Sequence, residues 1–193
     1  MTVLLFTGIL GCENATDDLP GNDMPWDISP DSIEKEIDGI AFKFCLLNEQ
    51  GKPATVFNEG ENFSFYFSVT NCSKKDFYFD AYLLAYDKNF LRIYSSSNYN
   101  FGKSYKPLFH TDIGIAAYPF NDGDSYIFNV PWMHEKEANF KGEDFEYQSI
   151  ITKSLGKGNY FTGFKYSFYF QGHQYENTIK TDSINFKINF KIQ

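Results

Sequence analysis

At 193 residues the chain suits one domain with a short leader and tether. Its apolar content is aromatic, with 22 Phe and 14 Tyr, residue types that favour pleated, half-buried surfaces over helix interiors. With 17 Lys plus Arg against 25 Asp plus Glu the formal net charge is −8, and no basic cluster exists to neutralise phosphates, so nucleic acid is not an expected partner.

Thr2 to Leu10 (TVLLFTGIL) is a short apolar run that ends at Gly11-Cys12. A bilayer span needs about 20 apolar residues, so the run cannot cross a membrane as a helix. Its length suits the apolar core of a secretory signal peptide over residues 1–11. The small residue before Cys12 resembles a bacterial lipobox, which implies that Cys12 is lipidated and opens the mature chain. The same run can also be read as a buried amino-terminal strand. Residues 13–27 (ENATDDLPGNDMPWD) are acidic, aperiodic and rich in Asn, Pro and Gly, the composition of a solvated tether. An acidic stretch behind a lipidated cysteine resembles the surface-export signal of some Gram-negative lipoproteins. The resemblance implies a cell-envelope protein held to the outer membrane through a lipid anchor, on its outer face. Ser29, Pro30 and Asp31 have the form of a helix start, so residues 12–38 are read as lipidated cysteine, acidic tether and short helix, ending before Gly39.

Strand patterns occupy residues 39–193. Ile40, Phe42, Phe44 and Leu46 alternate with Ala41, Lys43 and Cys45. Turns are expected over 48–52 and at Asn58-Glu59-Gly60. Phe63, Phe65, Phe67 and Val69 then alternate with Ser64, Tyr66, Ser68 and Thr70. Strands over 77–86 and 90–94, with a hairpin turn at Asp87-Lys88-Asn89, come next. A polar, tyrosine-rich loop fills 95–106, and Tyr126, Phe128 and Val130 lead to Trp132. His134 to Gln148 is charged and reads as an insertion holding a turn or two of helix. A long strand opens at Gly158-Asn159-Tyr160, and Ile184, Phe186, Ile188, Phe190 and Ile192 form the last. Lysines on that last strand suit a sheet edge that must resist pairing. Seven to nine short strands, with a turn about every ten residues, predict an all-β antiparallel sandwich.

Three motifs carry a family resemblance. Glu59-Gly60-Glu61-Asn62-Phe63 through Thr70-Asn71, Asn121-Asp122-Gly123-Asp124 before the strand ending at Trp132, and Gly158-Asn159-Tyr160 resemble the intracellular proteinase inhibitor domain family. The resemblance implies an immunoglobulin-like sandwich over roughly residues 40 to 170, in which Tyr160 turns its hydroxyl back onto backbone as a tyrosine corner. No reactive-site residue of an inhibitor carries over to this chain.

Catalytic patterns are wanting. His110, His134 and His173 are far apart, and neither an HExxH motif nor a GxSxG elbow occurs. Asp122 and Asp124 lack the spacing of a calcium loop, and Gly156-Lys157-Gly158 lacks that of a phosphate loop. Glu135, Glu137, Glu143, Asp144 and Glu146 form a charge-rich loop in which nothing sets a catalytic carboxylate pair. No enzyme activity, metal or cofactor is expected. Cys45 and Cys72 match no metal spacing. In an oxidising compartment they can pair, closing a loop worth about 3–4 kcal/mol, and two separate thiols fit the sequence equally well.

The aromatic surplus remains. Tyr94, Tyr99, Phe101, Tyr105, Tyr118 and Trp132 lie in or near loops, where an exposed ring can stack on a sugar or anchor a protein. Burial in the core is their alternative role. The expected function is a non-catalytic envelope lipoprotein binding a protein or glycan. The alternatives are an inhibitor of a secreted or periplasmic protease, and a structural accessory subunit of an outer-membrane assembly.

Overall fold

The computed structural model describes residues 29–108, 118–133, 139–142, 144–151, 153–173 and 176–193. The signal-peptide run, Cys12 and residues 13–28 lie outside the described residues, as do His110, His134, Glu135, Glu137 and Glu143.

The period-two segments become two facing sheets. The first has the order β1 (Ser32–Ile37), β2 (Ile40–Leu47), β4 (Ser64–Asn71), β10 (Ser125–Pro131). The second runs β3 (Val56–Phe57), β16 (Ile184–Ile192), β13 (Gly158–Tyr166), β6 (Arg92–Ser95), β7 (Asn100–Lys103). Two small sheets accompany them. One orders β15 (Ile179–Lys180), β14 (Tyr169–Gly172), β5 (Phe77–Phe79) and β9 (Tyr118–Phe120). The other orders β11 (Asn139–Gly142), β12 (Phe145–Ser149) and β8 (Tyr105–Pro107). Every ladder is antiparallel except the two-residue pairing of β3 with β16.

Alternation puts Phe42 and Phe44 of β2, Phe65 and Phe67 of β4, and Phe128 of β10 on one inner face, all buried. Phe164 of β13 and Phe186 of β16 meet them from the second sheet. Phe44 lies 5.5 Å from Phe164 at 78°, and Phe67 lies 5.1 Å from Phe164 and 5.3 Å from Phe186. Edge-on pairs place the positive ring rim against the negative face, adding about 0.5–1.5 kcal/mol each beyond area burial. The chain is therefore a β-sandwich with a phenylalanine core.

Two turns of one design feed neighbouring core strands. At Asn58–Glu61, Gly60 has φ 88° and the Glu61 carboxylate accepts from the Asn58 N–H and side-chain amide at 2.9 and 3.1 Å. At Asn121–Asp124, Gly123 has φ 87° and the Asp124 carboxylate accepts from the same two groups of Asn121 at 2.7 and 2.9 Å. Asn71, fully buried where β4 ends, donates to the carbonyls of Lys75 and Phe120 and accepts from the Ser73 N–H and hydroxyl.

Several expectations are corrected. The helix start at Ser29–Asp31 leads into β1, because Asp38 (φ 52°) and Gly39 (φ 80°) form a two-residue hairpin turn that folds this segment onto β2. Ile33 and Ile37 then pack against the core. The strand expected over 77–86 stops at Phe79. Asp80 caps a helix, α1 (Ala81–Tyr86), accepting from the N–H groups of Tyr82 and Leu83, and Ala81, Leu84 and Ala85 face inward. The charged stretch read as a helical insertion is, where described, the β11–β12 hairpin. The strands number sixteen among the described residues rather than seven to nine, because short pairings build the two side sheets. The last strand is an edge only in part, since β3 pairs with β16 at Lys191 and Ile192 alone, and of its lysines Lys191 is exposed while Lys187 is 4% exposed. Of the two readings left open for Cys45 and Cys72, the structure has the separate thiols. Cys45 sits opposite Tyr66 in the β2–β4 ladder, so Cys72, six residues on, is about 20 Å away along the strand, beyond disulfide reach.

Candidate functional site

At one end of the sandwich the β6–β7 turn, the segment after β10 and the stretch before β13 converge. The β6–β7 turn is closed locally. The Ser95 N–H donates to the Tyr99 carbonyl at 2.9 Å, the Tyr99 N–H to the Ser95 hydroxyl at 3.0 Å, and Asn98 takes φ 63°. This closure presents Tyr99 at 66% exposure. Its ring meets Phe101 edge-on at 4.9 Å, and Phe101 meets Tyr160 at 5.6 Å. Tyr160 donates its hydroxyl to the Gly156 carbonyl at 2.8 Å, which holds the approach to β13 against the sheet. Burial raises the Tyr160 hydroxyl pKa, so it remains a donor.

Phe101, Trp132, Ile150, Lys153, Ser154 and Leu155 line a cleft of about 300 Å3 beside Tyr99. Trp132 is 2% exposed and lies parallel to Phe63 at 6.2 Å, forming a rigid wall. Its indole Nε1–H has no acceptor among the described residues. Ile150 stands 41% exposed at the rim, and Lys153 adds a cation. Such a site can stack a flat ring, bury an apolar face and attract a partial negative charge.

A larger trough of about 470 Å3 lies on the outer face of the first sheet, lined by Glu34, Lys43, Ser68 and Thr70 among others. Its charges answer each other. Lys43 bridges Glu34 at 2.9 Å, and that pairing lowers the Glu34 pKa and raises that of Lys43. Beside it Cys45 is buried, and burial pushes its thiol up to about 11 against a smaller opposite pull from Lys43.

The six aromatics singled out in the sequence are divided. Tyr99, Phe101 and Trp132 meet at the cleft. Tyr94 is buried on the outer face of the second sheet, stacked on Phe161 at 5.0 Å. Tyr105 is buried, edge-on to Tyr147 at 4.8 Å, and burial raises its pKa well above the usual value. Tyr118 packs on Tyr82 at 5.6 Å, apart from the cleft. Sequence reasoning missed Ile150, Leu155 and Lys153. Their only signal is Ile150-Ile151 and Leu155 standing in an otherwise polar stretch.

Among the described residues no three His, Cys, Asp or Glu side chains gather as a metal site, and no helix is long and apolar enough to cross a membrane. Compared with known proteins, the chain matches no family model, no curated protein and no solved structure.

Proposed function

We propose that this protein is a non-catalytic binding module of the cell envelope, anchored through a lipid on Cys12 and gripping a protein or glycan with its Tyr99–Phe101–Ile150 rim. The observation that carries the reading is that rim, with an exposed tyrosine and isoleucine set beside a pre-formed cleft walled by Trp132. Exposed aromatics on a rigid turn bind at low entropic cost, because few rotors are immobilised. The anchor is supported by the apolar run ending at Gly11-Cys12, and the immunoglobulin-like reading by the Tyr160 corner and the two Asn–Gly–acid turns. An inhibitor would hold a reactive loop extended, whereas the exposed turn here bends through Asn98, so the binding module is preferred.

Intact mass and membrane fractionation of the wild type beside Cys12→Ala test the anchor. An acyl mass and membrane partition lost in the variant support it, and a soluble chain retaining residues 1–11 rejects it. For the site, soluble chain is titrated onto immobilised envelope glycans and envelope proteins. Tyr99→Ala is expected to weaken binding to one of them at least tenfold, and equal binding by both forms rejects the cleft.

A further inference from the structure

The cleft beside Tyr99 has a narrow chemical character. Among the described residues its lining side chains are apolar except for Lys153 and Ser154, and no Asp, Glu, Asn or Gln reaches it. The carbonyl of Gly156, at the same wall, already accepts from the Tyr160 hydroxyl. The Trp132 Nε1–H is itself buried, so the indole serves the cleft as a flat wall rather than as a donor.

That inventory separates the two classes of partner. A sugar ring stacks well on an aromatic face, yet it carries an O–H donor on nearly every carbon. Each donor that leaves water needs an acceptor, and carboxylates and side-chain amides are the groups that accept several at once. Here the Ser154 hydroxyl is the one side-chain acceptor lining the described cleft. An apolar side chain makes no such demand and gains from leaving water in proportion to its area. A volume of about 300 Å3 holds one such side chain.

Charge narrows the partner further. Lys153 is exposed at the cleft, and among the described residues no acid pairs with it. A lone cation beside an apolar hollow matches a carboxylate set next to a bulky apolar side chain. Salt confines the field of the chain's net charge of −8 to about 8 Å, so at contact the local ammonium decides.

We propose that the cleft takes one bulky apolar side chain of a protein partner, with a neighbouring carboxylate of that partner on Lys153, and that it does not take a glycan. The inference rests on the Tyr99 rim being the binding site and adds what fills it.

The Trp132 indole resonance reports on the cleft directly. It is read in proton–nitrogen correlation spectra of the full-length Cys12→Ser chain and assigned by the loss of the other tryptophan in Trp26→Phe. The probes are N-acetylphenylalanine, its uncharged amide, and the methyl glycosides of glucose and N-acetylglucosamine. Each is raised to about 20 mM, well above the roughly 1 mM dissociation constant reached by ligands of this size. N-acetylphenylalanine is expected to shift the resonance saturably, and the glycosides to leave it in place. The amide should bind about threefold more weakly, the worth of one exposed ion pair. Lys153→Gln, a change at an exposed position, should equalise acid and amide while leaving the affinity for the amide as it was. A glycoside that shifts the resonance overturns the proposal but leaves the Tyr99 rim a binding site. Equal binding of acid and amide by the parent chain overturns the carboxylate on Lys153. A resonance that no probe moves overturns the proposal and the cleft with it.

Discussion

The Tyr160 hydroxyl reaches back four residues to the Gly156 carbonyl at 2.8 Å, so one hydrogen bond joins the start of β13 to the wall of the cleft. The ring of the same tyrosine stacks on Phe190 of β16 at 5.5 Å, which fixes the direction of the hydroxyl.

Tyr160→Phe keeps that stacking and removes the hydrogen bond. A loss of about 0.5–1.5 kcal/mol is expected, equivalent to about 2–5 °C in Tm for a chain of this size. Thermal unfolding followed by circular dichroism checks it, and an unchanged Tm refutes a structural role for the corner.

Asn71 is the polar knot of the first sheet. Asn71→Ala removes the side-chain donor to the Phe120 carbonyl and the acceptor of the Ser73 N–H, and leaves the Lys75 carbonyl only its longer bond from the Ser73 hydroxyl at 3.3 Å. Each stranded group costs about 1–3 kcal/mol, so a loss of about 3 kcal/mol or more is expected by urea denaturation. Asn71→Asp keeps the acceptor but loses both donations, and it should be comparably damaging.

The two described thiols should differ sharply. Cys72 is exposed, while Cys45 is buried with its pKa pushed up to about 11, so almost no thiolate forms at pH 8. With Cys12→Ser, a thiol reagent at pH 8 should titrate one cysteine in the native protein and two in denaturant. Two fast native thiols, or none, would contradict the placement.

Lys103 gives a pH signature. Its ammonium donates to the carbonyls of Ala85 and Asp87 at 3.0 and 2.9 Å, closing the end of α1, and lies 4.6 Å over the Tyr105 ring. Burial outweighs the pull of Asp87 and lowers its pKa to about 8, and the neutral amine still donates to both carbonyls. The folded pKa lies below that of the unfolded chain. Between pH 8 and about 10 the unfolded state therefore binds more protons, and stability rises with pH. Relative to Lys103→Met, the wild type should gain about 1–3 kcal/mol across that window in urea titrations. A flat difference would place the charged form at ease in its pocket.

Period two is a local property, and it was legible in the sequence. The inward residues of β2, β4 and β16 were readable because alternation needs no partner to be recognised. The Asn–Gly–acid turns and the Tyr160 corner were readable for the same reason, since each is closed within four residues. Asp38-Gly39 was an equally local hairpin signal that the proline-led helix start obscured.

Tertiary structure decided what depends on partners. That Lys187 of β16 is buried while Lys191 on the same face is exposed was set by tertiary packing and not by the alternation they share. Tyr94 and Tyr105 are buried while Tyr99 is exposed, although all three come from one tyrosine-rich stretch. The cleft joins Phe101, Trp132 and Leu155 from three separate segments, and their meeting is set by sheet packing, which no local pattern encodes.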